Sequence, residues 1–271
     1  MDRNHLLSKL ESGERVYGTC VTTSIPSWPQ AVAGTGVDFV FIDTEHIPLD
    51  RAPLSQLCQV YTALGVTPIV RITKPDPFLA CQVIDGGAIG VVAPYLESVS
   101  EFRDLVGATK YRPLKGKKLE AALEGREPLT PELETYVKKY NRGNLFIANI
   151  ESVPAIEALD ELLSVPGLDG VFIGPHDLSV SLGVPEQYDH PEFEAAVRTI
   201  ITKTRARGLH IGIHFSLEPE RQVKWVNEGA NIIVHSFDIA LFKQRLSADL
   251  GVIKAAVGDR VEKNDTGNLV V

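Results

Sequence analysis

The chain has 271 residues, a formal net charge of −8, 44% hydrophobic and 23% charged residues, which suits one large α/β domain or two small ones in a soluble protein. Its acidic balance excludes broad nucleic-acid binding, which needs a basic face, and no apolar run approaches the roughly 20 residues of a membrane span. The polar, amphipathic start MDRNHLLSKLESGE lacks the apolar run of a secretion signal, and Cys20, Cys58 and Cys81 are scattered without CxxC spacing, as in a reduced, cytoplasmic protein.

Short β-branched runs alternate with longer stretches of helical period. Strands are expected at YGTCVTT, DFVFID, TPIVRI, GVVAPYL, LFIANIE, GVFIGP, HIGIHF and NIIVHSF. Between them, helical patterns cover Trp28–Gly34, Pro53–Leu64, Pro77–Gly86, Ser100–Thr109, Pro131–Tyr140, Pro154–Leu163, Pro191–Arg207, Glu218–Glu228 and Ile239–Val257. Several open on proline or a small capping residue. Such alternation implies a parallel sheet with helical crossovers, and eight repeats fit a closed (β/α)8 TIM barrel. A doubly wound sheet needs a glycine-rich turn after the first strand, and TTSIPSWPQ supplies none. Residues 1–258 are therefore read as one barrel domain, with 259–271 as a polar tail. The segment Lys110–Thr130 is expected to be irregular, as a lid or an interface arm.

In such a barrel the site lies at the C-terminal ends of the strands. The second strand ends at Glu45–His46, the third at Arg71, the fifth at Glu151 and the sixth near Asp177. Singly, each residue has a plain structural reading: Asp177 as a helix N-cap, His46 as a rim histidine held by Glu45 or Asp43, Asp85 as a helix-terminal residue before a glycine turn. Together, buried charges at one barrel end are costly unless compensated. Two carboxylates without a cysteine suit a hard cation such as Mg2+ or Mn2+, which leaves positions for the oxygens of a 2-oxo acid. Arg71 has the forked donors to stabilise an enolate oxygen, and the His46 imidazole is the natural proton-transfer group. His176, His214 and His235 are read as pocket walls. No predicted strand ends in the lysine that a Schiff-base aldolase needs; Lys74 is the nearest.

The motifs IDTEHIPLD, PIVRI, IANIES and, most specifically, GLDGVFIGPHDLS, in this order between Val16 and Gly258, resemble those of the HpcH/HpaI aldolase family of metal-dependent pyruvate aldolases. The resemblance implies Glu151 and Asp177 as metal ligands, Arg71 as the arginine that binds pyruvate, and His46 in proton transfer with Asp43 and Asp85 beside it. It also implies backbone donors around Gly174, Pro175, His176 and Asp177 for the carboxylate, and a Mg2+, Mn2+ or Co2+ cofactor. A last helix exchanged with a neighbour, in hexamers built from dimers, completes it. Asn149 stands where the family often has glutamine, and His176 where a small residue is common. The expected reaction cleaves a 4-hydroxy-2-oxo acid to pyruvate and an aldehyde. The alternatives are a citrate-lyase or malyl-CoA-like thioester lyase, and an inactive barrel serving as a binding or assembly subunit.

Overall fold

Eight short parallel strands close on themselves. In the computed structural model, which describes residues 5–216 and 219–260, these are β1 (Val16–Val21), β2 (Phe39–Asp43), β3 (Thr67–Arg71), β4 (Gly90–Ala93), β5 (Leu145–Asn149), β6 (Gly170–Ile173), β7 (His210–Phe215) and β8 (Ile232–Phe237). Each strand pairs with the next and β8 returns to β1, giving the expected closed barrel. The helices are α1 (His5–Glu11), α2 (Trp28–Ala33), α3 (Arg51–Ala63), α4 (Pro77–Asp85), α5 (Val99–Lys110), α6 (Gly116–Leu123) and α7 (Pro131–Tyr140). Then come α8 (Val153–Glu157), α9 (Leu159–Leu162), α10 (Pro175–Ser181), α11 (Pro191–Ala206), α12 (Pro219–Asn227) and α13 (Asp238–Val257). Proline in the first turn starts α4, α7 and α11, where its missing N–H costs no helical bond. A reciprocal Ser98–Glu101 capping box starts α5.

The strands are apolar on both faces because both are covered. Outward residues such as Val40, Val70, Val91, Phe146 and Val171 pack on the helices. Inward residues, among them Phe39, Ile69, Leu145, Ile147, Phe172 and Ile232, form a second core inside the barrel. Large and small residues alternate there: a Cβ on Gly18 would stand 2.7 Å from the Phe39 ring, and one on Gly212 would stand 2.6 Å from Phe172. Leu6 and Leu10 of α1 join this inner core, so the amphipathic N-terminus plugs the floor of the barrel.

Several elements differ from the sequence expectation. The segment 110–130 is not irregular: it holds α6, whose Leu119 and Leu123 lie against Gly107 of α5. It also sits on the floor side, where Lys110 bonds to the Asn144 carbonyl just before β5, so it does not close over the mouth of its own barrel. The helix expected over Pro154–Leu163 is split at Ala158 into α8 and α9. Glu218, expected to open a helix, and most of the polar tail lie outside the described residues. Finally, α13 buries only Asp238 and Ala240, while Phe242, Leu246, Leu250, Ile253 and Val257 stay exposed.

Candidate active site

Asp43 ends β2 and Arg71 ends β3, and the two are register partners. The Arg71 Nε and Nη2 groups donate to the two Asp43 oxygens at 2.8 Å each, and Nη1 lies 3.1 Å from Glu45 Oε2. Burial pushes the Asp43 carboxyl up, but the twofold bond from Arg71 outweighs it and holds the group below its usual range. Burial likewise opposes the charge on Arg71, and Asp43 more than restores it. The arginine is therefore a fixed, permanently charged fork, aimed by the acid beneath it.

The acid pair stands next to it. Glu151, two residues beyond the end of β5, is buried at 6% exposure. Its Oε2 accepts from Asn149 Nδ2 at 2.9 Å and its Oε1 from the Tyr95 N–H at 2.9 Å. Asp177 lies in the first turn of α10. Between them Gly174 is required by close approach: a Cβ there would meet Glu151 Oε2 at 2.8 Å and Asp177 Oδ2 at 3.5 Å. Burial, with Asp177 and Glu45 adding like charge, raises the Glu151 carboxyl to about 7. The Asn149 Oδ1 and Glu45 Oε2 atoms are buried without a hydrogen-bond partner. Two carboxylates crowding one point, one of them reluctant to ionise unaided, fit a hard divalent cation. Among the described residues no three His, Cys, Asp or Glu side chains gather as a closed cage, so such an ion would keep open positions for water and substrate oxygens.

Of these groups, Arg71, Asn149, Gly174 and Asp177 line a cavity of about 940 Å3. His46 stands half-exposed on its wall, its Nε2 3.8 Å from Glu45 Oε2. His176 also lines it, with Nδ1 3.6 Å from Glu186 Oε1. Opposite, Arg221 donates to both Asp189 oxygens at 2.8 and 3.1 Å and lies over Tyr188 and Phe215. His214 lines the cavity too, and burial lowers its imidazole to about 4.

Asp85 is not brought to this site within one chain, a correction to the sequence reading. It ends α4, the helix that returns to the floor side before β4, and pairs there with Arg112; the plain helix-terminal reading holds in the single chain. His235 points away from the cavity toward Gln222. Tyr95 was missed altogether. It has φ +55, rare for a non-glycine residue, its N–H donates to Glu151, and the Glu45 carboxylate pushes its phenol up to about 12. Nothing in APYLES announces that turn of the backbone.

A parallel (β/α)8 barrel with an acid pair, a clamped arginine and a histidine at the strand C-termini defines an enzyme of the kind that works on small, oxygen-rich acids. Residues 18–244 match the model of the HpcH/HpaI aldolase/citrate lyase family, and the chain belongs to that family. It is 30% identical over 246 residues to the 2-keto-3-deoxy-L-rhamnonate aldolase of Salmonella gallinarum, covering 91% of each chain. The Escherichia coli protein of the same name is 31% identical over 252 residues, with 93% and 94% covered. Among solved structures, an HpcH/HpaI aldolase from Desulfitobacterium hafniense superposes with a TM-score of 0.80 at 27% identity, covering 92% of this chain and 96% of that one. The citrate synthase SbnG gives 0.80 at 29% identity, covering 94% and 99%. The chain is thus a carbon–carbon lyase, a metal-dependent aldolase that cleaves a 4-hydroxy-2-oxo acid to pyruvate or a related 2-oxo acid and an aldehyde, and catalyses the reverse addition.

Proposed function

We propose that Glu151 and Asp177 hold the divalent ion, that Mg2+, Mn2+ or Co2+ serves, and that the substrate is a 3-deoxy-2-oxo sugar acid, the chemical class named for the Salmonella and E. coli relatives. The observation that carries this reading is the approach of both carboxylates to Gly174, beside the Asp43–Arg71 fork. Bound there, the ion would supply Lewis acidity to the 2-oxo carbonyl.

The remaining work falls to the chain. The first-turn N–H groups of His176 and Asp177, beside Gly174 and Pro175, have no helical partner and hold the substrate carboxylate. Asn149 and the Tyr95 N–H orient Glu151. His46 accepts the proton of the 4-hydroxyl, directly or through water. The C3–C4 electron pair then passes into the 2-oxo acid as an enolate while C4–O becomes the aldehyde carbonyl. Arg71 meets the negative oxygen, and C3 takes up a proton to give pyruvate. The exposed apolar stripe of α13 supports an exchanged helix in a homo-oligomer, for which the family resemblance implies a hexamer built from dimers. Localisation in the cytoplasm agrees with the three free thiols.

The test is deuterium exchange into the pyruvate methyl group, followed by proton NMR. With Mn2+ or Mg2+ the parent should exchange, with EDTA it should not, and Glu151→Gln should bind no Mn2+ and fail in both while keeping its circular dichroism. Exchange that persists in EDTA would remove the metal assignment. No exchange at all would return the thioester lyase or the inactive barrel. The basic cluster Lys115, Lys117 and Lys118, which the thioester reading would use, lies at the start of α6 on the floor side.

A further inference from the structure

We infer that His214 is a specificity-determining residue that accepts a hydrogen bond from a hydroxyl group on the aldehyde half of the substrate; the inference rests on the aldolase reading above. On β7 the residues His210, Gly212 and His214 face the barrel axis, and His214 is the one at the mouth. It borders the reacting groups: its ring is 6.2 Å from that of Phe41, and the Arg71 guanidinium lies 5.5 Å from the same Phe41 ring. No step assigned to Arg71, His46, Glu151 or Asp177 uses it.

The ring's tautomer follows from its neighbour. His214 Nε2 lies 3.1 Å from the Ser236 carbonyl oxygen. A carbonyl only accepts, so Nε2 carries the proton and Nδ1 presents its lone pair. Among the described residues Nδ1 has no hydrogen-bond partner. The supporting backbone is shaped to this end. Ser236 has φ +53, a conformation costly for any residue but glycine, and found most often where geometry serves a site. The β1–β8 register shifts between Gly18 and Cys20, and Thr19 Oγ1 ties the neighbouring His235 carbonyl at 2.9 Å. Burial, aided by the Arg71 charge, keeps the imidazole neutral. A neutral, acceptor-only atom in a confined wall favours an O–H donor and rejects a carboxylate, which has only lone pairs to offer. The ligand class is therefore an uncharged hydroxyaldehyde rather than an aldehyde acid.

The experiment compares glycolaldehyde and lactaldehyde with propanal as acceptors for pyruvate, alongside methyl-proton exchange, in the Mn2+-loaded parent and in His214→Leu, His214→Phe and His214→Asn. The leucine and phenylalanine variants should lose about tenfold or more of the kcat/KM preference for the hydroxyaldehydes, as loss of a buried acceptor does. The asparagine variant, with Oδ1 where Nδ1 stood, should keep most of it. Circular dichroism shows that each variant folds, and exchange should continue in all three; loss of exchange in all three folded variants overturns the inference by making His214 part of the enolising site. A preference unchanged within twofold in a variant that still exchanges overturns the inference. Absence of exchange in the parent would instead strike the aldolase reading.

Discussion

Arg71 is held by two hydrogen bonds from one side, and the rigidity of that fork decides what its substitution should do. Lysine keeps the charge but cannot reproduce two parallel bonds to Asp43 while facing the substrate. Arg71→Lys should therefore bind metal normally, yet lose about 2–4 kcal/mol of transition-state stabilisation, the range for a missing oxyanion donor; steady-state kcat with Mn2+ measures it. Asp43 makes the complementary case. Its folded carboxyl lies below the ordinary value, so its ionised form stabilises the fold above that ordinary value, and the contribution fades as pH falls through the lowered one. In Asp43→Asn that acid-side dependence should shrink. Urea midpoints taken from pH 6 down to pH 3 would show a flatter acid limb than the parent's; parallel limbs would deny Asp43 this part.

Among the elements, α13 departs most from ordinary burial. A helix of 20 residues with only two buried leaves Phe242, Leu246, Leu250, Ile253 and Val257 spaced by three or four residues along one stripe, a pattern that needs a partner in water. Phe242→Asp combined with Leu246→Asp should dissociate the proposed homo-oligomer without unfolding the barrel; light scattering after gel filtration reads the mass, and an unchanged mass would exclude this helix from an interface. The elements also differ in how far the sequence disclosed them. The eight strands were legible because each is a short β-branched run, and Glu151, Asp177, Arg71 and the Glu45–His46 pair because they follow such runs at the same end. The short α10 was not: it has seven residues and starts directly after β6, too few turns for a period to register. The amphipathic start was visible, but its place as the floor of the barrel depends on residues over 200 positions away. Asp85 looked like a member of the site by motif order alone, whereas the return direction of α4 sends it to the other rim. The Tyr95 turn and the tautomer of His214 are set by backbone strain and by a carbonyl from another strand, and no local pattern encodes either.

At the scale of the molecule, Leu6 and Leu10 close the floor of the barrel among the described residues, and the large cavity opens at the mouth. Whatever is bound deepest must leave last. The 2-oxo acid end of the substrate would sit against Glu151, Asp177 and Arg71, and the aldehyde half along the wall of His214, Tyr188 and Arg221. The order of departure would then be written into the architecture: aldehyde first, pyruvate second, with no gate or moving loop required. Product inhibition of cleavage should show it, pyruvate acting as a competitive inhibitor against the oxo acid and the aldehyde as a noncompetitive one. The reverse pattern would mean that the floor opens. A helix that never touches the substrate would thus set the sequence of events in turnover.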